Sequence, residues 1–434
     1  MVFGEESVYL KIVHFSWEFP PVIYGGLGTF VTELSQKQTT FGNEVTVFTV
    51  NQNNQLSTYE KWNGIDAYRP QTLDLTQTFL LFAEQGLKAW GDNFKFFADV
   101  VSYNTISASQ LINLLVRKEG HSYDIVDAHD WLGIMGGMLA KKELNLPLIF
   151  HVHSTEVGRS VGRGSHAIKD IEFEGGQAAD GVITVSYAMK DELEKLGFPP
   201  HKIHVCWNGV DPNKYDPNKV TEEQRKELRR RYGISDDENM LFFIGRLVTV
   251  KGVDTLVKAM PSVLQDFPNT KLVILGVGDM EWNLKSMAEQ MGIKDKIIFK
   301  TEFINEEERI VHYAAADCVI LPSIYEPFGI VCTESMSMAK PTVVGATGTN
   351  GFREQIIPDG DKKCGVHVNP HNANDIAWGI KQVLQLQDKG SLMGQVARQR
   401  VLDVFSWDSV AKRTLEIYKE FISVSYTHLT LPTN

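Results

Sequence analysis

The chain has 434 residues, which is more than one hydrophobic core usually serves, so two domains are the simplest expectation. Hydrophobic residues make up 43% and charged residues 22%, which is ordinary for a globular protein and excludes a fibrous or wholly disordered chain. The formal net charge of -11 at pH 7 argues against a dedicated nucleic-acid binder, because neutralising phosphates requires clustered Lys and Arg.

No segment of the sequence indicates export or membrane insertion. The N-terminal residues lack a basic region followed by an apolar stretch, and nowhere do about 18 apolar residues run together, the length that crosses a bilayer. The four cysteines have no CxxC spacing. We therefore expect a cytoplasmic protein with no strong membrane signal and no nucleic-acid partner.

Short apolar runs alternate with helical periodicity in the first half of the chain. Strands are predicted over 9–17, 44–50, 124–130, 147–154, 181–186 and 202–210. Helices are predicted between them over 28–42, 106–120 and 186–197, the last capped by Ser186. This alternation predicts βαβ units and a parallel sheet.

The second half of the chain repeats the same pattern. Its strands are predicted over 240–248, 270–278, 295–303, 317–323, 340–348 and 364–370. Two series of six strands predict an α/β protein with two Rossmann-like domains, and the Pro-, Asn- and charge-rich segment between them predicts a linker. The predicted divisions are domains over 1–214 and 215–405, a C-terminal helix over 406–422 that packs across the domains, and a tail over 423–434 that need not be native.

A glycine pair follows the first strand, just ahead of a predicted helix. Gly25 and Gly26 allow a ligand to approach the backbone closely, and the helix directs its positive N-terminus to the same place, which favours an anion site. A plain glycine turn is the alternative. A dinucleotide fingerprint is disfavoured because Val31 stands where GxGxxG requires its last glycine.

Histidines stand at the ends of two successive predicted strands, in DAHDWLG and FHVHSTE. Alternation along a strand places His151 and His153 on one face, but no third ligand with suitable spacing is visible, so no metal is expected. A histidine at such a strand end either hydrogen-bonds a polar substrate or is a satisfied structural residue.

Paired charges follow two predicted strands of the second half. Arg246 and Lys251 lie just ahead of a helix start, an arrangement that suits a diphosphate, although either cation alone is more often a solvated surface charge. Glu326 and Glu334 flank a Pro-Phe-Gly turn after the apolar run 318–322. Two carboxylates separated by a helix N-terminus can grip two sugars with a phosphate between them, whereas the helix dipole alone explains only one acidic residue.

Together the segments GGLG, HDW, HVHS, WNGVD, GRLVTVKG, EPFGIVCTES and TNGFREQI resemble those of retaining GT-B glycosyltransferases, the broad family that includes glycogen and starch synthases. The resemblance runs from about residue 9 to residue 422. It implies two Rossmann-like domains facing across a cleft, a nucleotide sugar as donor, a glycan as acceptor, and no metal or other cofactor.

The resemblance also implies roles for the matching residues. The implied catalytic residues are His153, Arg246, Lys251 and Glu326. The implied donor-binding residues are Gly25, Gly26, Phe328, Gly329, Ile330 and Glu334. The implied cleft-lining residues, on the acceptor side, are His129, Asp130 and Asn208. In this scheme the two cations neutralise the leaving diphosphate, Glu326 holds the donor hexose and Glu334 holds the nucleotide ribose.

The resulting functional hypothesis is transfer of glucose, with retention, from a nucleotide sugar to an α-glucan. Ile23 stands where glycogen synthases commonly carry a lysine two residues before the glycine pair, so ADP, UDP and GDP all stay open as the nucleotide. One alternative is a related hexosyltransferase that acts on a lipid-linked, cell-wall or small-molecule acceptor. The other is a non-catalytic protein that binds a nucleotide sugar or a glycan.

Overall fold

The computed structural model describes residues 9–81 and 92–429, with side chains described for 9–81 and 93–422. The chain forms two compact units. The first unit comprises Met1–Val185, Glu192–Cys206 and Val410–Asn434, and the second comprises Ser186–Asp191 and Trp207–Ser409. The long segment of the second unit thus begins at Trp207, ahead of the linker in which the sequence-based boundary was placed.

The first unit is organised around one sheet of eight strands. They are β1 (Lys11–Phe15), β2 (Glu44–Phe48), β3 (Tyr59–Trp62), β4 (Ile65–Tyr68), β5 (Ile125–His129), β6 (Leu148–Val152), β7 (Gly181–Thr184) and β8 (Ile203–Val205). Their order is β3-β4-β2-β1-β5-β6-β7-β8, and all neighbours pair in parallel except β3 with β4. The central strands are buried on both faces, which is why they read as continuous apolar runs.

The prediction of six strands for this unit missed the β3–β4 hairpin. Its two-residue turn is Asn63-Gly64, with φ angles of 47° and 86°. Positive φ at both central residues is the geometry that matches the twist of paired strands, and Asn-Gly is the dipeptide that adopts it most readily. The signal was therefore present in KWNGIDAY, between two polar strands too short to stand out as apolar runs.

Helices flank this sheet. They are α1 (Gly26–Thr40), α2 (Thr76–Leu80), α3 (Asp92–Ser109), α4 (Asp130–Leu144), α5 (Glu156–Arg159), α6 (His166–Ala178) and α7 (Tyr187–Lys195), with a π-helical stretch, Gln110–Val116, continuing α3. Helix α4 crosses β1 so closely that a Cβ at Gly133 would lie 2.4 Å from the carbonyl oxygen of Phe15. Only glycine fits there, since a side chain would separate the helix from the sheet.

The second unit contains all six predicted strands. They are β9 (Asn239–Ile244), β10 (Thr270–Leu275), β11 (Ile297–Lys300), β12 (Cys318–Leu321), β13 (Thr342–Gly345) and β14 (Gly365–Val368). Every neighbouring pair is parallel, in the order β11-β10-β9-β12-β13-β14. This is the doubly wound Rossmann order, which reverses direction between β9 and β12.

Helices cover this second sheet as well. They are α8 (Glu222–Arg231), α9 (Val253–Asp266), α10 (Glu281–Gln290), α11 (Glu306–Ala315), α12 (Ile330–Ser337), α13 (Phe352–Gln355), α14 (Ala373–Leu384) and α15 (Ser391–Val404). The last helix, α16 (Trp407–Leu429), has only its first three residues in this unit. Residues Leu256 of α9 and Ile380 of α14 pack with Phe243, Ile274 and Val343 of the sheet in one buried cluster. Among residues 9–81 and 92–429, none of the helices combines the length and hydrophobicity that crossing a bilayer requires.

The C-terminal helix predicted over 406–422 is helix α16. From Val410 onward it belongs to the first unit, where Tyr418 donates a hydrogen bond to the carboxylate of Asp127 and the ring of Phe421 lies against Gly181. The predicted tail is helical as far as Leu429, and residues 430–434 lie outside the described residues.

Candidate functional site

The switch point of the second sheet brings two of the predicted motifs together. Strands β9 and β12 are neighbours, so the loops after their carboxyl ends leave from the same edge, where Rossmann-type sheets bind ligands. The loop carrying Arg246 and Lys251 follows β9, and the turn carrying Glu326 follows β12. The two segments touch, since the backbone N–H of Ile324 donates to the carbonyl of Val250 at 2.8 Å.

Lys251 and Glu326 form an ion pair at this edge. The ammonium of Lys251 donates to Oε2 of Glu326, and the hydroxyl of Ser323 donates to the same oxygen at 3.1 Å. Both side chains are largely shielded from solvent, so the pair is screened less than a surface pair. The residues predicted to hold the diphosphate and the hexose are thus in direct contact.

The Pro-Phe-Gly turn is held in place by the segment that follows β13. The backbone of Glu326 pairs with that segment, accepting from Gly351 N–H at 2.7 Å and donating to Thr349 O at 3.1 Å. Gly329 has a φ of 85°, and a Cβ there would lie 2.3 Å from the ring of Phe352. Glycine is therefore required at this position by both backbone conformation and space.

Gly329 is also the N-cap of helix α12. As a glycine it has no side chain to accept from the first-turn amides, and α12 has no acidic residue in its first turn. The predicted cradle residues Phe328, Gly329 and Ile330 therefore sit where unpaired N–H groups and the helix dipole favour an anion. Arg246 is exposed and forms no salt bridge with any described residue, so its charge is available to a ligand.

Glu334 lies one turn further into α12 and is buried. Its two carboxylate oxygens accept hydrogen bonds from Tyr215 at 2.9 Å and Tyr313 at 2.8 Å, and Arg309 lies 3.5 Å away. Burial, together with the carboxylate of Glu334, raises the pKa of both tyrosines, so both stay neutral donors. Each oxygen can accept a second hydrogen bond, and ribose binding by Glu334 stays a prediction.

In the first unit, the glycine-rich loop already surrounds a carboxylate. Oε2 of Glu18 accepts from the backbone N–H groups of Tyr24 at 2.9 Å, Gly25 at 3.0 Å and Gly28 at 3.2 Å. In this structure the N–H groups of the loop therefore bind the carboxylate of Glu18. The assignment of Gly25 and Gly26 to the donor phosphates stays a prediction, and the role of Glu18 was missed.

The strand-end histidines lie together in the first unit. His129 ends β5 and His153 follows β6, and the Nδ1 of His129 lies 3.1 Å from the Nε2 of His153. Asp130 accepts from the backbone N–H of His153 at 2.7 Å. Its φ of 51° is uncommon for a non-glycine residue and typical of functional sites. The structure thus brings together three of the predicted site residues.

Three histidines offer ring nitrogens within 4.8 Å of one another: His129, His151 and His153. The rings of His151 and His153 are parallel, with an interplanar angle of 2° and centroids 4.7 Å apart. Their lone pairs lie in parallel planes and do not converge on one point, as tetrahedral coordination would require. This stacking does not fit a metal ion, and a metal-independent reaction stays our prediction.

Asn208 lies in the second unit. It is buried, and its Oδ1 has no hydrogen-bond partner among the described residues. The neighbouring Trp207 donates its indole N–H to Glu354 at 2.8 Å. Glu354 also accepts from the backbone N–H groups of Tyr187 and Ala188 at the start of α7. Glu354, in the TNGFREQI segment, is a structural residue that the sequence analysis did not single out.

A cavity of about 710 Å³ opens in the first unit, beside the loop that follows β1. Its aromatic wall includes Trp17, Tyr24 and Phe96, and the rings of Trp17 and Phe96 meet edge to face with centroids 5.4 Å apart. The polar part of the wall consists of the amide side chains of residues 51–54. Among them, Gln52 donates a hydrogen bond to the Tyr24 hydroxyl at 2.6 Å. Aromatic faces combined with amides are well suited to a polyhydroxylated ligand.

The charged groups of this cavity are mostly acidic. Three carboxylates, those of Glu18, Asp74 and Asp99, face one ammonium, that of Lys95, for a formal balance of -2. Lys95 is itself paired with Asp99 at 3.0 Å. The cavity therefore offers acceptors to hydroxyl groups and carries a negative formal balance.

Comparisons with known proteins agree with this picture. Residues 24–214 match the family described as Glycosyltransferase Family 4, and residues 224–400 match the family described as Glycosyl transferases group 1. An uncharacterized glycosyltransferase of Methanocaldococcus jannaschii is 35% identical over 414 residues, covering 94% of this chain and 98% of that protein. A glycogen synthase of Mycobacterium tuberculosis is 27% identical over 421 residues, covering 94% of each chain. The solved sucrose-phosphate synthase of Thermosynechococcus elongatus shares the fold, with a TM-score of 0.75 at 21% identity over 96% of this chain and 100% of that one.

Proposed function

We propose, given that this chain belongs to the GT-B glycosyltransferases, in group 1 and family 4, that it transfers glucose from a nucleotide sugar to a neutral α-glucan. The activity of a glycosyltransferase follows from the family. The identity of the sugar and of the acceptor is our proposal, and the nucleotide stays open among ADP, UDP and GDP.

The contact between Lys251 and Glu326 supports the donor half of this proposal. When a nucleoside diphosphate leaves, negative charge builds up on its terminal phosphate, and preorganised cations and helix N-termini stabilise that charge. Lys251, the unpaired Arg246 and the uncapped start of α12 supply such groups at one edge of the sheet. Glu326 lies beside them as the acceptor for hexose hydroxyls.

The proposed reaction needs no protein nucleophile. The acceptor hydroxyl oxygen forms the new bond to the anomeric carbon on the face from which the diphosphate departs, as the carbon–oxygen bond to phosphate breaks. The departing phosphate oxygen takes the proton of the acceptor hydroxyl. The anomeric configuration is retained because bond formation and departure occur on the same face, an inference that depends on the family resemblance.

The acidic cavity of the first unit is the main observation that supports a neutral glycan as the acceptor. Its formal balance of -2 and its aromatic and amide walls favour an uncharged sugar chain over an acceptor that bears phosphate. A lipid-linked diphosphate would place its own negative charges against Asp74 and Asp99. We therefore favour a neutral glycan over the lipid-linked and phosphorylated alternatives.

A panel of donors and acceptors tests the proposal. Purified protein is incubated with ADP-, UDP- and GDP-glucose, each with glycogen, with a phosphorylated sugar or with no acceptor, and nucleotide release and glycan elongation are measured. We expect nucleotide release that depends on glycogen, with one nucleotide preferred. Release only with the phosphorylated acceptor would contradict the acceptor assignment, and tight nucleotide binding without any transfer would favour the non-catalytic alternative.

Phe96 provides a test of the cavity itself. Its ring lines the cavity but is 42% exposed, so Phe96→Ala removes acceptor contact at little cost to the core. We expect the KM for the acceptor to rise about threefold to tenfold, the range that one aromatic contact contributes, while the donor KM is unchanged. Steady-state kinetics with both substrates measure this, and Phe303→Ala, an exposed aromatic of the second unit, is the matched control. An unchanged acceptor KM would place the glycan elsewhere.

A further inference from the structure

A chain of hydrogen-bonded side chains runs from the interior of the first unit to His153. Gln38 Oε1 lies 2.8 Å from the Nε2 of His14, and the Nδ1 of His14 lies 3.0 Å from the Nε2 of His129. The Nδ1 of His129 lies 3.1 Å from the Nε2 of His153. Gln38, His14 and His129 are fully buried, whereas His153 is partly exposed.

Burial favours the neutral form of the three imidazoles in this chain, against the opposing charge of the buried Asp127, and packing restrains their rings. Burial lowers the pKa of His14, and lowers the pKa of His129 and His153 well below the usual value. The ring of Phe30 packs edge-on against His129 and His153, with its centroid 4.7 Å from that of His153. The rings therefore have little room to turn, and only the positions of their protons are left to vary.

A neutral imidazole has one nitrogen that donates and one that accepts. Each ring of the chain must donate to one neighbour and accept from the other, so all the hydrogen bonds point the same way. Only two arrangements exist: every proton lies on Nε2, or every proton lies on Nδ1. Gln38, at the end of the chain, selects between the two arrangements. If its amide oxygen faces His14, the Nε2 of His14 must carry a proton, and if its amide nitrogen faces His14, that Nε2 must have a lone pair.

The surroundings of Gln38 favour the oxygen. The Gln38 amide lies near the Tyr418 hydroxyl, and no other described residue accepts a hydrogen bond from its Nε2. That hydroxyl donates its proton to the carboxylate of Asp127, so its oxygen faces Gln38 as an acceptor. The amide nitrogen therefore belongs on the Tyr418 side, which leaves the amide oxygen on the His14 side.

We propose that Gln38 is a positioning residue that, through His14 and His129, keeps the proton of His153 on Nε2 and its Nδ1 free to accept a hydrogen bond. Nδ1 of His153 forms no hydrogen bond with a described residue, and the residue is partly exposed, so this nitrogen is the one left for a ligand. An accepting nitrogen binds a hydroxyl group and cannot donate to a phosphate. That the ligand is the donor sugar rests on the proposed function.

The wild-type protein tests the proposal first. Protein labelled with ¹⁵N-histidine is examined by NMR, and the His153 signals are assigned by their loss in His153→Gln. Protonated and unprotonated ring nitrogens have well-separated ¹⁵N shifts. We expect Nε2 of His153 to be protonated and Nδ1 to be unprotonated, and the opposite assignment would overturn the proposal without any variant.

Two variants test the role of Gln38. Gln38→Met removes the terminal acceptor, and Tyr418→Phe removes the hydroxyl that orients the amide. Both should populate the Nδ1-protonated form of His153, and Gln38→Met should lower kcat about twofold to tenfold, as expected for one lost hydrogen bond. Gln36→Met, the same change on the same helix, is the control and should change neither the tautomer nor kcat.

If His153 keeps its wild-type tautomer in a folded Gln38→Met or Tyr418→Phe variant, Gln38 does not act through the chain and the proposal fails. The NMR result is independent of catalysis. A protein that shows the tautomer change but transfers no sugar in the donor panel would contradict the proposed function and leave this inference intact.

Discussion

Replacing Glu326 by alanine is expected to slow hexose transfer by about 10²-fold to 10³-fold, the range seen when one preorganised group at a reacting centre is removed. In the proposed function Glu326 accepts hydrogen bonds from the hexose hydroxyls, and no other described carboxylate contacts Lys251. Without it, the donor sugar loses its hydroxyl partner while the diphosphate still meets the cation. The loss should therefore appear in kcat more than in the affinity for a free nucleoside diphosphate.

Single-turnover and steady-state kinetics measure this effect, and thermal unfolding checks that the variant is folded. Glu302→Ala, in which a more exposed glutamate of the same unit is removed, is the matched control and should retain full activity. A Glu326→Ala variant that transfers hexose at the wild-type rate would remove Glu326 from the site.

The Lys251→Ala variant is expected to weaken nucleoside diphosphate binding about tenfold to a hundredfold and to slow transfer, because charge-assisted hydrogen bonds contribute roughly 1.5 to 3 kcal/mol. Isothermal titration with ADP, UDP and GDP measures the affinity, and initial rates measure the donor KM. Lys258→Ala, which removes an exposed lysine paired with Asp254 on α9, is the control. An unaffected diphosphate affinity would contradict the role of Lys251.

The double variant tests whether the two residues act as a unit. Residues in one ion pair are coupled, so their effects are not expected to add. We expect Lys251→Ala with Glu326→Ala to reduce transfer by less than the product of the two single effects. Strict additivity would mean that the observed contact has no part in the reaction.

The strands of the second unit could be predicted from the sequence pattern. All six of its predicted strands form, because a strand buried on both faces must be a continuous apolar run, and such runs are visible locally. The hairpin of β3 and β4 in the first unit was missed because its polar strands have no such run. Its Asn-Gly turn was the sole local signal.

For the site residues, too, the sequence indicated some features and only the structure showed others. The sequence indicated which chemical groups follow which strands, and the resemblance to GT-B enzymes implied their roles. It did not indicate that Lys251 contacts Glu326, since 75 positions separate them and their meeting depends on β12 lying beside β9. It also did not indicate that Tyr215 and Tyr313 surround Glu334.

Amino-acid sequence alone determined the six strands of the second unit, the C-terminal helix and the family of this protein, because each depends on neighbouring residues or on short motifs. Tertiary structure alone decided the partners of the buried polar groups: Glu18 in the glycine loop, the tyrosines on Glu334, and the chain from Gln38 to His153. A buried donor or acceptor must find a partner, and sheet order determines which distant side chains are close enough to serve.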